Sequence, residues 1–286
     1  MLNPTANVCL SERELSELRL ILERQTGVLL DAPTDKLTQA VSGALCSQRI
    51  PSITILLERL SSSDAECEAL AEYLLDGVTR FFRCPAAFES LGKVVLPDLE
   101  ARKSAENPRS LRILSAGCST GEEPYSIGMA VCEALNSSNG GWNVHIVASD
   151  IRRQALESAE RGLYPLATFE QVPDHLVQAY FAKVGNHLLV KPRLRNLVRF
   201  SRMNLAKPAF LGQFDCIFCM DVLPHFSMAQ RIALVQRLHL YLQPGGYLFL
   251  GQSEKLPATN VKFQSQTTDG FTLYRKEMAR AARSGR

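Results

Sequence analysis

From Leu111 onward the chain alternates short apolar runs with helix-compatible stretches, and the turn after the first run sharply limits the folds open to it. Ile113-Leu114-Ser115-Ala116 leads into the small residues Gly117-Cys118-Ser119-Thr120-Gly121, and Glu122-Glu123-Pro124 opens the segment YSIGMAVCEAL. A strand, a glycine turn and a helix N-terminus in that order form the first unit of a mostly parallel sheet. Small residues such as Ala116 and Gly117 let a ligand approach the backbone closely, as in the nucleotide-binding turn of such sheets. A phosphate-binding turn leaves its helix start free for anions, whereas this one places two carboxylates there. It suits a ligand that carries positive charge and a ribose. S-adenosylmethionine, with a sulfonium, an α-ammonium and a ribose, has that chemistry.

The rest of the sheet follows by the same reading. Leu111–Ser115 is the first strand, with a helix running on from Glu122. Val144–Ser149 is the second, ending in Asp150, where an acidic residue accepts both ribose hydroxyls in such folds. The helix IRRQALESAERG comes next, then the irregular to helical stretch YPLATFEQVPDHLVQAYF. Two β-like pieces, His187–Lys191 and Leu197–Ser201, form a pair interrupted by Lys191, Pro192, Arg193 and Arg195. Phe214–Cys219 is a further strand, followed by Asp221, a helix from Ser227 to about Leu242, a Pro244-Gly245-Gly246 turn and the strand Tyr247–Leu250. Val261–Gln264 and Phe271–Arg275 fit an antiparallel hairpin.

Composition narrows the function classes. The 286 residues, 46% of them hydrophobic, suffice for a large domain and a smaller one. A net charge of +3 is too small to argue for nucleic acid or a membrane surface, and neither nucleic-acid binding nor membrane insertion is expected. No apolar run reaches the roughly 20 residues of a spanning helix. The start MLNPTANVCLSERE lacks the form of a signal peptide, so a cytoplasmic location is expected. The eight cysteines have no framework spacing. Cys216 and Cys219 form a CxxC inside FDCIFC, which reads as a buried strand and not as a metal site; no metal is expected.

Residues 1–75 read as a helical domain. Ser11 and Glu14 make a capping box ahead of Leu15, Leu18, Ile21 and Leu22, and Gly27 fits a helix stop. A second helix starts with Asp35 as its cap, a third holds Ile53 to Leu60, and a fourth begins near Ser63 or Asp64. Residues 76–110 hold the joining stretch Asp76-Gly77-Val78-Thr79-Arg80-Phe81-Phe82-Arg83 and the apolar helix AAFESLGKVVLPDL. In this stretch two aromatic rings anchor a linker and an arginine is available to hold a carboxylate in a plane. An ordinary hinge with solvated arginines accounts for the composition equally well. Residues 111–280 form the α/β domain, with a small β insertion at about 181–200.

Taken in order, Thr79-x-Phe81-Phe82-Arg83, Ser119-Thr120-Gly121-Glu122-Glu123-Pro124-Tyr125-Ser126, Ala148-Ser149-Asp150-Ile151, Asn204-Leu205, Phe214-Asp215-x-Ile217-Phe218-Cys219 and Gly251-x-Ser253-Glu254 carry a resemblance. The chain resembles the CheR family, bacterial methyltransferases that esterify chemoreceptor glutamates with S-adenosylmethionine. The resemblance implies a class I S-adenosylmethionine-dependent methyltransferase (Rossmann-like) sheet behind an N-terminal helical domain. Its size and the absence of an added repeat domain suggest a stand-alone enzyme; the branch serving type IV pilus chemosensory systems is a separate expectation. By the same resemblance Thr79 and Arg83 line the cofactor pocket, with Arg83 also near the methyl transfer. Glu123 holds the methionine part, Asp150 takes the ribose hydroxyls, and Asn204 and Leu205 surround the adenine. The partners implied are the cytoplasmic helices of methyl-accepting chemoreceptors.

Several positions depart from the family pattern. Gly77 stands where the family has Asn, Met220 and Asp221 where it has Arg-Asn, and His225 where it has a tyrosine beside the reacting methyl. Asp221 can attract a sulfonium, and His225 can donate a hydrogen bond with a protonation that varies near neutral pH. The second N-terminal helix carries mainly Lys36 and Arg49, and the β insertion is a few residues short, so no pentapeptide tether is expected. Two other readings stay open: a methyltransferase for another substrate, and a non-catalytic cofactor-binding module of a chemosensory array.

Overall fold

The computed structural model describes residues 10–29, 32–75, 79–105, 109–135, 141–268 and 270–278. These fall into two compact units. The first comprises the residues up to 77 together with Pro224–Arg231, and the second comprises 78–223 and the residues from 232 onward.

The first unit contains four helices: α1 (Glu12–Thr26), α2 (Thr34–Ser47), α3 (Ile53–Ser62) and α4 (Asp64–Leu74). The Ser11–Glu14 capping box closes the start of α1, and Gly27, with φ 74°, ends it by donating to the Glu23 carbonyl. Ser63 caps α4 as its sequence predicts. Asp35 does not cap α2. Pro33 occupies that position without a side-chain bond, and Asp35 lies in the first turn, where its charge faces the helix dipole. Leu18, Leu22, Leu37, Val41, Leu56, Leu60 and Leu70 recur at helical spacing and are buried. Val28 bridges to Phe226 in this unit.

The second unit opens with α5 (Pro85–Ser90), one π-helical turn over Leu91–Val95, and α6 (Leu96–Arg102). The sequence predicts a single helix here. Pro97 has no N–H, and the ladder widens before it, with Leu96 N–H bonding the Leu91 carbonyl. Then follow β1 (Arg109–Ala116), α7 (Glu122–Leu135), β2 (Trp142–Asp150), α8 (Arg153–Arg161), β3 (Leu163–Pro165), α9 (Asp174–Tyr180), β4 (Phe181–Val184), β5 (His187–Val190), α10 (Pro192–Arg195) and β6 (Val198–Arg202). The chain continues through β7 (Phe214–Cys219), α11 (Met228–Tyr241), β8 (Leu242–Leu250), β9 (Phe263–Thr268) and β10 (Phe271–Lys276).

Seven strands form one sheet in the order β6-β2-β1-β7-β8-β10-β9. The first five are parallel, and β10 runs antiparallel to β8 and β9. The order reverses between β1 and β7, so a crevice forms outside the carboxyl ends of those strands, where α/β sheets bind ligands. β7 is buried along its whole length, Cys216 and Cys219 included, as a central parallel strand requires. β8 takes in the Pro244-Gly245-Gly246 turn, and a register shift against β7 between Phe214 and Cys216 accommodates it.

The pairing expected for Leu197–Ser201 is corrected as well. Leu197–Ser201 does not pair with His187–Lys191. As β6 it joins the main sheet alongside β2, with Ile146 opposite Val198 and Ala148 opposite Phe200. The small sheet is instead β3-β5-β4, and its β3 takes Tyr164 and Pro165 from the stretch expected to be irregular or helical. Leu188 and Val190 turn inward from β5 and are buried.

Candidate functional site

The turn after β1 is built from backbone constraints. Gly117 has φ 82°, and its N–H and that of Cys118 both donate to the Ser149 carbonyl, at 2.7 and 2.8 Å. A methyl group at Gly117 would lie 2.6 Å from Val222 Cγ2, so the turn and the segment after β7 touch through that glycine. Ser119 is left-handed at φ 50°. Its N–H donates to Asp150 Oδ2 at 2.8 Å, tying the turn to the end of β2.

Asp150 is buried, and Arg152 covers its second oxygen. The Arg152 N–H and Nε donate to Oδ1 at 2.9 and 3.2 Å, and the same guanidinium reaches Ser119 Oγ at 2.8 Å. The Asp150 carbonyl accepts the Met203 N–H, which brings Asn204 and Leu205 to the same sheet edge. Asn204 Oδ1 accepts the Ala206 N–H at 2.9 Å, and the Leu205 carbonyl accepts Arg237.

The two carboxylates at the helix start divide their work. Glu122 is buried and accepts the Thr120 hydroxyl at 2.7 Å; burial raises its pKa. Glu123 faces Ser115, whose Oγ donates to it at 2.6 Å. It keeps some accessible surface, yet protein atoms crowd it. Desolvation pushes its pKa up to about 8, with Asp221 and Glu254 adding repulsion and the Ser115 bond and Arg83 opposing the rise.

The linker is anchored by its aromatic rings. Phe81 is 2% exposed, stacks on Phe169 with centroids 4.6 Å apart, and meets Tyr164 and Phe181 edge-on. Tyr164 in turn donates its hydroxyl to the Thr120 carbonyl at 2.7 Å, which couples the linker to the turn. Phe82 is left-handed at φ 49°, and its N–H donates to Ser126 Oγ at 3.0 Å. The kink leaves Arg83 with its Nε 3.2 Å from Asp221 Oδ2. Asp221 is itself left-handed at φ 59°. Three of the four described non-glycine residues with positive φ therefore lie in this cluster, as strained backbone does at functional sites.

Within the second unit, then, Arg83, Ala116, Gly117, Glu123, Asp150, Asn204, Leu205, Met220 and Asp221 stand at the carboxyl-end edge or on the linker bound to it. Met220 is buried. Thr79 is partly buried at the start of the described linker. Gly77 lies outside the described residues. His225 ends the short 3-10 turn Leu223–His225 and counts with the helical unit, where its carbonyl accepts the Leu29 N–H at 2.7 Å. The sequence reading gave no role to Ser115, Ser119 or Arg152. Ser115 and Ser119 lie inside the quoted turn; Ser115 bonds Glu123 on the helix that follows it, whereas the partner of Ser119, Asp150, comes from the next strand.

The side chains gathered at this edge fit S-adenosylmethionine. Glu123 and Asp221 stand beside the Arg83 guanidinium, a pair of carboxyl groups able to accept from an ammonium and to face a sulfonium, and Asp150 stands at the ribose position. A family model described as "CheR methyltransferase, SAM binding domain" matches residues 77–271. The chain belongs to the CheR methyltransferase family. Its cofactor is S-adenosylmethionine.

Curated members of the CheR family extend the likeness beyond that domain. The chain is 37% identical to "Chemotaxis protein methyltransferase 1" of Pseudomonas aeruginosa over 90% of its own length and 95% of that protein. It is 34% identical to "Chemotaxis protein methyltransferase Cher2" of Pseudomonas putida, with 85% and 90% covered. "Chemotaxis protein methyltransferase" of Escherichia coli is 30% identical, over 96% of this chain and 94% of that one. No helix among the described residues is long and apolar enough to cross a membrane.

Proposed function

We propose that this CheR-family enzyme methylates glutamate side-chain carboxylates of a chemoreceptor, forming glutamate methyl esters. The observation that carries the reading is the Arg83–Asp221 pair beside Glu123. It puts a guanidinium, the side chain best shaped to orient a carboxylate, next to a cation-accepting pocket.

Glu123 would hold the α-ammonium of the cofactor, Asp150 the ribose hydroxyls, and Asn204 and Leu205 the adenine. Thr79, Met220 and the Ala116-Gly117 backbone would line the remainder. When bound, S-adenosylmethionine supplies an electrophilic methyl group on a cationic sulfur. The substrate carboxylate needs no general base, because a glutamate of reference pKa about 4.3 is ionised at neutral pH. The protein's contribution is orientation and exclusion of water, which in favourable systems lowers a barrier by about 7–11 kcal/mol. Arg83 would align the incoming carboxylate, exchanging part of its pairing with Asp221. The resemblance alone gives His225 a hydrogen-bonding place near the transfer path, which a Tyr replacement tests through the pH dependence of the rate.

The test uses methyl-labelled cofactor and chemoreceptor-containing membranes. Arg83→Ala is expected to lose most label transfer while still binding S-adenosylhomocysteine. Label transfer at the unmodified rate by that variant would remove Arg83 from the mechanism.

A further inference from the structure

Glu254 lies beyond β8, and its carboxylate gathers three backbone N–H groups. Oε2 accepts from Asp221 at 2.8 Å and from Gly251 at 2.5 Å, while Oε1 accepts from Leu223 at 2.9 Å. Its own N–H donates back to the Gly251 carbonyl at 2.9 Å. The donors come from two strand ends: Asp221 and Leu223 follow β7, and Gly251 follows β8. Those neighbours pair in parallel up to Cys219 and Leu250, where the ladder stops. The Glu254 carboxylate takes over the pairing just beyond that point.

The consequence falls on Asp221. Its φ of 59° is one an L side chain adopts only when its surroundings hold it there. Held so, the Asp221 carboxylate lies against Gly251 and 3.2 Å from Arg83 Nε. Gly251 itself has no left-handed φ, so space and not conformation demands a glycine. A methyl group there would overlap Asp221 Oδ1 and sit 2.8 Å from Glu254 Oε2.

We propose that Glu254 is a positioning residue for methyl transfer: it holds the Asp221 turn in its left-handed conformation and, through Asp221, fixes the guanidinium of Arg83. The inference rests on the reading of Arg83 given above. An amide cannot substitute for the carboxylate, because its NH2 would face either the Asp221 and Gly251 N–H groups or that of Leu223, donor against donor.

The test compares Glu254→Gln, Gly251→Ala, Asp221→Ala and the double variant Asp221→Ala/Glu254→Gln in the full chain. The first readout needs no substrate: the Arg83 Nε–H resonance, assigned by its loss in Arg83→Lys. It should move in Glu254→Gln and in Gly251→Ala toward its place in Asp221→Ala. S-adenosylhomocysteine affinity should stay within about threefold of the wild type while kcat for receptor labelling falls about tenfold or more. In the double variant kcat should lie within about twofold of Asp221→Ala alone, because the two residues act through one path. An unmoved resonance in variants that bind S-adenosylhomocysteine, or losses that multiply in the double variant, would overturn the proposal. So would a loss of cofactor binding in step with kcat, which marks a purely structural role. If Glu254→Gln does not fold, Glu254→Asp decides the matter: it keeps both acceptor oxygens but draws them back from the three N–H groups, so the Arg83 resonance should move. Failure of the wild type to label receptor would count against the substrate reading, and the resonance would still decide the role of Glu254.

Discussion

Ser115 Oγ donates a 2.6 Å hydrogen bond to Glu123 Oε1 across the glycine turn that separates β1 from α7. That bond favours the charged form of a carboxyl which burial otherwise drives up to about 8. A bound ammonium would draw Glu123 into its anionic form. Cofactor binding at pH 7 is therefore expected to release a proton, and affinity to rise with pH until it levels near pH 8. Calorimetry in buffers of different ionisation enthalpy reads the proton directly. Glu123→Gln should abolish the release and weaken binding by about tenfold to a hundredfold, the range of a lost charged hydrogen bond. Ser115→Ala should weaken binding at pH 7 in the same direction, by less.

The same shift predicts how the cofactor-free protein responds to pH. The folded Glu123 keeps its proton to about pH 8, whereas the unfolded chain releases it near the ordinary value of 4.5. Between those values the unfolded state binds fewer protons, so Glu123 makes stability fall as pH rises through the window. Denaturation midpoints of Glu123→Gln should show a shallower decline from pH 5 to 8 than those of the wild type.

Asp150 is expected to be needed for affinity. Asp150→Asn leaves at least one of the donors from Ser119 and Arg152 facing an NH2, and it removes the charge that Arg152 balances. S-adenosylhomocysteine binding should weaken by about tenfold or more, since an unsatisfied buried donor costs about 1–3 kcal/mol. Binding isotherms of this variant and the wild type check the point.

Gly117→Ala should destabilise twice over. The left-handed φ alone costs an L residue about 1–2 kcal/mol, and the new methyl group would press on Val222 Cγ2. Pairing it with Val222→Ala should restore the packing part and leave the backbone part, as urea denaturation of both variants would resolve.

How far the sequence alone reaches follows from the range of each interaction. The strand, glycine turn and paired carboxylates are contiguous, so the turn and Glu123 are legible without coordinates. Asp150 is legible because it ends a strand of recognisable pattern. The clamp of Glu254 on Asp221, Leu223 and Gly251 spans 33 residues at its widest and depends on which strands lie side by side. Spacing carries no trace of it. The placement of Leu197–Ser201 failed for the same reason: its alternation of Val198 and Phe200 suits either sheet, and pairing with β2 decides it. Asp35 looked like a cap because it precedes an apolar periodic run, yet the helix begins one residue earlier on Thr34.

Phe81 tests the linker. Its ring stacks on Phe169 and meets Tyr164 and Phe181 edge-on, and Tyr164 holds the turn. Phe81→Ala is expected to cost about 3–5 kcal/mol, the range for truncating a buried aromatic residue. Where the variant remains folded, it should lose label transfer more than Phe82→Ala does.

The most direct measurement is mass-spectrometric mapping of methyl groups on receptors incubated with the protein and labelled S-adenosylmethionine. The expected products are base-labile methyl esters confined to glutamate side chains, absent with Glu123→Gln at limiting cofactor and strongly reduced with Arg83→Ala. Label on nitrogen, or on a small molecule, with none on glutamate carboxylates would contradict it.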